Sequence, residues 1–334
     1  MTAKSARGAA TVVGILAVFT FPLWTPNLYL LHVATLIAAY WVLIAGLNLV
    51  VGYAGVLSIG HVGLFSIGAY AFAILAGTYG FDPMLTLLVA GALGAGSGFL
   101  LGLPSLRLPG FYFAMSTIAI AMIVAEWTLA LDGLTGGGMG LPVPTFNAPF
   151  NTPAGFYWLV ASIAGFVTWL TWNVARFMWG RALISMRDSD VAAASVGVPI
   201  VRLKLIVFTF SGLTAGVAGG LFASLQSYIT PETFVFELGL FFFVCIIIGG
   251  RGGIMGPLLG TVVLTALPEL VGPLAKLGSL FYGILLLLVV LLTPEGIGDF
   301  VRGAFERLQK RPLTKVSQPD LARLSAAISR KRDD

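Results

Sequence analysis

The chain has 334 residues, of which 58% are hydrophobic and only 10% charged, with a formal net charge of +5. Soluble domains carry about 25% charged residues, so this composition excludes a water-soluble globular fold and points to no nucleic-acid partner. A single cysteine, Cys245, and two histidines, His32 and His61, exclude an internal disulfide, a cysteine metal site and a multi-histidine metal centre.

Ten apolar blocks can be marked in chain order: about 9–24, 29–50, 56–77, 84–102, 111–131, 157–178, 205–225, 237–250, 257–271 and 279–293. A helix needs about 20 residues to cross the hydrocarbon of a bilayer. The blocks at 9–24, 84–102, 237–250, 257–271 and 279–293 fall short of that, so broken or partly embedded helices are expected among them. The fold class is an all-α polytopic membrane protein of about ten transmembrane or partly embedded helices, with the lipid bilayer as its solvent. The basic start Lys4/Arg7 and the first apolar run suit a signal peptide. No small-x-small cleavage site follows, so a retained first helix is expected.

Charge sets the orientation. With Lys4 and Arg7 held in the cytoplasm by the positive-inside rule, alternation places Arg107, Arg176, Arg181, Arg187, Arg202 and Lys204 inside. The tail 302–334, with nine basic residues, also falls inside, whereas the outer segments 78–83, 132–156 and 226–236 contain no Lys or Arg. Both termini are therefore expected to be cytoplasmic, with a transmembrane domain over 1–301 and a basic tail over 302–334. In that tail Leu321, Leu324 and Ile328 have the spacing of a surface helix.

The segment 46–70, GLNLVVGYAGVLSIGHVGLFSIGAY, is apolar enough for a membrane yet holds six glycines among Asn48, Ser58, His61 and Ser66. Irregular backbone at membrane depth survives only when buried in protein or lining a wet cavity, so this stretch is a candidate part of a translocation path. Asn48, Ser58, His61, Ser66, Ser116 and Thr117 offer polar contacts along such a path. Glu126 is an ionisable group near the outer end of an apolar block, where a functional role competes with simple interfacial placement. Ser58 and His61 share a helix face, but without an acidic orienting group they do not make a hydrolase.

Three glycine ladders of spacing four recur: Gly94, Gly98 and Gly102; Gly212, Gly216 and Gly220; Gly252, Gly256 and Gly260. Each puts small residues on one face, where helix backbones approach closely, and their recurrence in both halves hints at an internal repeat. The long inner loop 176–204 carries a short helix over 188–197, capped by Asp188 or Ser189 and stopped by Gly197 with Pro199 beyond. Flanked by Arg181, Arg187, Arg202 and Lys204, it is either a connector resting on anionic headgroups or a docking element for a cytoplasmic partner.

The segments LNLVVGYAGVLSIGHVGLFSIGAY, GLPSLRLPGFYFAMSTIAIAMIVAEW, TGGGMGLP, GRALISMRDSDVAAASVGV, KLIVFTFSGLTAGVAGGLFASLQSYITPETF and IIIGGRGGIMGPLLGTVVLTALPEL, in this order over roughly 40–295, resemble the LivM type of membrane permease subunit. The resemblance implies a subunit of a bacterial ATP-binding-cassette importer for branched-chain amino acids in the inner membrane. It further implies a LivH-type partner permease, two cytoplasmic ATPases and a periplasmic solute-binding protein. Under it the 188–197 helix is the coupling helix received by an ATPase, and Arg181, Arg187, Asp188, Asp190, Ala192, Ala193 and Gly197 are its coupling residues. The Ala-Ala-x3-Gly core of such loops stands here as Ala192, Ala193 and Gly197, with the usual acidic residue displaced to Asp190.

The chain contains no Gly-x4-Gly-Lys-[Ser/Thr] motif; GGGMG at 136–140 and GGRGG at 249–253 lack the lysine and hydroxyl that hold phosphate and Mg2+. Both read as tight turns. ATP and Mg2+ are therefore expected on partner ATPases, with no cofactor in this chain. The competing readings are an ion-coupled secondary transporter, which would need His61 or Glu126 as proton carrier, and a structural scaffold.

Overall fold

A computed structural model describes residues 19–25, 27–108, 110–250 and 252–271. All of them belong to one compact unit. Most of the 9–24 block, the 279–293 block and the tail 302–334 lie outside the described residues; 19–24 are helical.

The described chain is a helical bundle. Its helices are α1 (Leu28–Asn48), α2 (His61–Phe72), α3 (Pro83–Gly102), α4 (Gly110–Ala130), α5 (Pro153–Arg176), α6 (Met178–Asp188), α7 (Asp190–Ser195), α8 (Ile200–Gln226), α9 (Phe236–Gly249) and α10 (Met255–Val271), with a further single turn over Asp132–Thr135. Among the described residues, seven segments are long and apolar enough to cross a membrane: Leu28–Tyr53, His61–Thr78, Pro83–Leu106, Gly110–Ala130, Pro153–Arg176, Ile200–Gln226 and Pro231–Gly249. The protein is multi-pass.

Local chemistry sets several helix starts. Asn27 accepts from the Tyr29 amide, Asp82 from Met84 and Leu85 ahead of α3, and Thr152 from Gly155 ahead of α5. Each satisfies amides that a helix start leaves free, and Pro83 and Pro153 occupy first-turn positions that need no N–H donor. Two blocks expected to be short belong to longer spans. A 3-10 turn over Pro104–Leu106 extends the α3 span to 24 residues, and one over Pro231–Phe234 lengthens the α9 span to 19.

The block expected at 56–77 is not helical from its start. After α1 the helix widens into a π-turn over Leu49–Tyr53, where the Ala54 amide reaches back to the Leu49 carbonyl. Residues 55–59 have no regular secondary structure, and α2 begins only at His61. Gly55 breaks the helix with φ +71°, a region that costs residues with a Cβ about 1–2 kcal/mol. Thr117 on α4 holds the far end of this connector, its Oγ1 accepting from the Ile59 and Gly60 amides at 3.2 Å each. Apart from exposed Gly55, the connector is buried or half-buried in protein.

Helix α8 forms the middle of the bundle, packed on α3, α2 and α1. Its glycine ladder faces that of α3. A Cβ on Gly94 would lie 2.8 Å from the Gly216 Cα, and one on Gly98 would lie 2.8 Å from the Gly212 Cα. The ladders of the two halves are opposing faces of one contact. Gly220 instead meets Leu87 and Phe72, and Gly252 sits in a turn with φ +81° rather than on a helix. An aromatic cluster fills the core beside α8, where the fully buried Phe65 ring lies 5.1 Å from Phe222 and 5.5 Å from Phe242. The Trp41 indole N–H donates to Thr168 Oγ1 at 2.7 Å and ties α1 to α5. At one end of the bundle two short strands pair antiparallel, β1 (Leu141–Pro142) with β2 (Tyr228–Ile229), and anchor the Gly137–Met139 turn.

Candidate functional site

The basic residues of the described chain gather at one end, where α3 and α5 finish and α8 begins. Arg107 follows α3, Arg176 closes α5 with its guanidinium 5.0 Å from the Trp172 ring, and Arg202 and Lys204 open α8. The opposite end holds five acidic residues, Asp82, Asp132, Glu232 and Glu237 at helix starts and Glu126 late in α4, while Asp188 and Asp190 lie at the basic end.

At the basic end the 176–204 segment forms two helices where the sequence suggested one. Helix α6 turns Gly180, Leu183 and Met186 inward and leaves Arg181 outward. Their three-residue spacing was present in the sequence, but the helix is too polar to stand out among apolar blocks. Helix α7 is capped by Ser189, whose Oγ accepts from the Ala192 amide at 3.2 Å. It ends where Gly197 adopts φ +83° and the Val198 amide bonds back to the Ala193 carbonyl at 3.1 Å, the left-handed stop that glycine permits without strain. Ala193 is buried at 2%, so Ala192, Asp190 and Gly197 are outward while Ala193 seats the helix. Two apolar side chains are presented to the outside, Val191 at 82% and Val196 at 77% exposure. Asp190 Oδ2 pairs with Lys204 Nζ at 2.8 Å, so its charge is engaged within the chain. Asp188 is exposed, 3.6 Å from Arg187 Nε.

The Arg187 side chain, about one-third exposed, turns back into the bundle and donates from Nη1 to the Gly52 carbonyl at 2.9 Å. Sequence reading grouped Arg187 with the basic residues flanking the loop helix. Nothing local in the sequence marks this contact, which joins residues 135 apart.

The candidate path residues separate into three groups. Ser58, His61 and Thr117 come together in the interior. His61 is 1% exposed, with Nδ1 bonded to Ser58 Oγ and Nε2 to Ser211 Oγ, both at 2.8 Å. Ser211 was not singled out from sequence; it completes a serine–histidine–serine chain in which a serine, not a carboxylate, holds the second ring nitrogen. Ser211 lies seven residues beyond Lys204, placing His61 about 10 Å in from the basic end at 1.5 Å per residue. Asn48 donates to the Gly253 carbonyl at 2.8 Å, while its Oδ1 and the Ser66 hydroxyl are buried without a hydrogen-bond partner. Ser116 and Glu126 lie on α4, Ser116 half-buried and Glu126 exposed. At the acidic end a cavity of about 250 Å³ opens between the starts of α1 and α5 and the end of α8, lined by His32, Thr35, Asn151, Thr152 and Ser224 among others. None of the path residues named from sequence lies in it.

Seven described spans long and apolar enough to cross a membrane define a multi-pass membrane protein. The chain belongs to the family described as branched-chain amino acid transport system / permease component, whose model matches residues 29–290. It is similar to the high-affinity branched-chain amino acid transport system permease protein LivM of Escherichia coli K12, 34% identical over 297 residues, covering 81% of this chain and 70% of that protein. The Salmonella typhimurium LivM matches at the same identity and coverage. More distant similarity reaches the fructose import permease protein FrcC of Rhizobium meliloti, 27% identical over 244 residues, covering 66% of this chain and 62% of that protein. No solved structure matches the chain.

Proposed function

We propose that this chain is the permease subunit of an ATP-binding-cassette importer in the bacterial inner membrane, and that its solute is a branched-chain amino acid or a related small polar molecule. Its basic end faces the cytoplasm, as the positive-inside rule requires. There α7 is received by a groove on one of two partner ATPases, which bind the ATP and Mg2+. The observation that carries this reading is the pair of exposed valines on a capped six-residue helix at the basic end; isolated apolar side chains that far from the membrane core suit a protein groove.

The solute is delivered by a periplasmic binding protein at the acidic end and passes between this chain and a LivH-type partner along α4. Of the seven described spans, α4 is the least buried, with 33% of its most apolar stretch covered, and it carries Ser116 and exposed Glu126. A carboxylate facing lipid is costly, whereas protein or water against that face removes the cost. The buried Ser58–His61–Ser211 chain serves as a strut that holds the connector ahead of α2. Replacing Val191 and Val196 together by Asp tests the docking. Co-purification of the ATPases and ATP-driven uptake should both be lost, and retention of both would reject this role for α7.

A further inference from the structure

We infer that Arg187 is the positioning residue that carries movement of α7 into the membrane bundle, by holding the carbonyl of Gly52; this rests on the docking of α7 proposed above. The last carbonyls of a helix lack intrahelical partners and carry negative partial charge. Gly52 lies in the π-turn that ends the first described span, and Arg187 Nη1 caps it at 2.9 Å. π-turns often mark functional positions because they loosen the regular ladder.

The guanidinium occupies a socket that side chains would fill. A Cβ on Gly55 would lie 3.1 Å from the Arg187 Cβ, and one on Gly252 would lie 3.1 Å from Nη1. Both glycines have positive φ, +71° and +81°. Asn48, one turn before Gly52, is tied to the same glycine turn through the Gly253 carbonyl at 2.8 Å. Three segments therefore meet on one side chain: the cytoplasmic helices, the end of α1 and the turn at Gly252 and Gly253.

The covalent and hydrogen-bonded path is short in both directions. Arg187 stands two residues before Ser189, the cap of α7. Gly52 leads through the connector to Gly60 and α2, and the connector's amides bond Thr117 on α4. A pull on α7 thus reaches the Gly52 carbonyl, then the connector, then α4. A static cap would stabilise α1 but would leave the connector indifferent to the nucleotide state.

The test uses the whole complex with its ATPases, partner permease and binding protein in proteoliposomes. A cysteine at Val56, half-buried in the connector, reports its accessibility to a maleimide probe, and the native Cys245 is fully buried and contributes little background. In the Arg187-containing complex the labelling rate should differ between the nucleotide-free and vanadate-trapped states. In Arg187→Ala that difference should shrink about tenfold, the loss expected when a charged hydrogen bond no longer couples two states, while the ATPases still co-purify. Arg187→Lys, which keeps the charge and one donor, should restore part of it. An undiminished difference in Arg187→Ala, or no difference with Arg187 present, overturns the inference. So does failure of both Arg187 variants to assemble, which would make the residue a folding requirement only. If the Val191/Val196 double Asp variant keeps its ATPases, the docking proposal fails instead, and the two failures remain separate.

Discussion

The close approach of α3 and α8 makes a prediction whose sign changes over two residues. Gly94 faces α8, where an added Cβ would press on the Gly212 carbonyl and lie 2.8 Å from the Gly216 Cα, whereas a Cβ on Gly96 would meet nothing within 4 Å. Alanine improves helix propensity over glycine by up to about 1 kcal/mol at either site. At Gly94 the backbones must separate, and overpacking of this kind costs about 1–3 kcal/mol. Gly94→Ala should therefore destabilise by up to about 2 kcal/mol, and Gly96→Ala should be neutral or stabilising by up to about 1 kcal/mol. Cys245 supplies the assay: it is the only cysteine and is fully buried. Its reaction with a thiol-activated fluorophore during heating in detergent marks unfolding, with the Gly94→Ala midpoint below and the Gly96→Ala midpoint at or above that of the parent. Equal midpoints for the two variants would refute the close α3–α8 approach as a source of stability.

Thr117→Val should leave the Ile59 and Gly60 amides without their shared acceptor, costing about 1–3 kcal/mol; Thr117→Ser should retain most of that stability in the same thermal assay. Asp190→Asn breaks a pair whose carboxylate side is half exposed, so its effect on stability should stay below about 1 kcal/mol, with α7 still folded and ATPase co-purification preserved. Glu126→Gln combined with His61→Asn should retain much of the ATP-driven uptake in proteoliposomes; complete loss of uphill transport with the complex intact would favour proton coupling through those groups.

Much of the fold was legible because membrane helices announce themselves by length and polarity. The starts of α3 and α5 follow from Asp82-Pro83 and Thr152-Pro153, and the end of α7 from Gly197 with Pro199 beyond. The break before α2 was legible too, since the glycines and polar residues of 46–70 conflict with a continuous helix. What the sequence concealed lies in two kinds of place. Helix α6 mixes Arg181 and Arg187 with Leu183 and Met186, so a search for apolar blocks passes over it. The partners of the site residues are distant in sequence: Ser211 for His61, 150 residues away, and Gly52 for Arg187, 135 away. Spacing along one helix cannot reveal such pairs. The same holds for Ala193, which composition places beside Ala192 in the docking core, although one turns inward and the other out.

The central claim is that this subunit does no work of its own and is opened by ATP hydrolysis in its partners. The most direct measurement compares solute accumulation in sealed proteoliposomes containing this chain alone, with or without an ion gradient, against the full complex supplied with ATP and binding protein. The account predicts accumulation against a gradient only in the full complex with ATP. Uphill accumulation by the chain alone, without nucleotide, would contradict it.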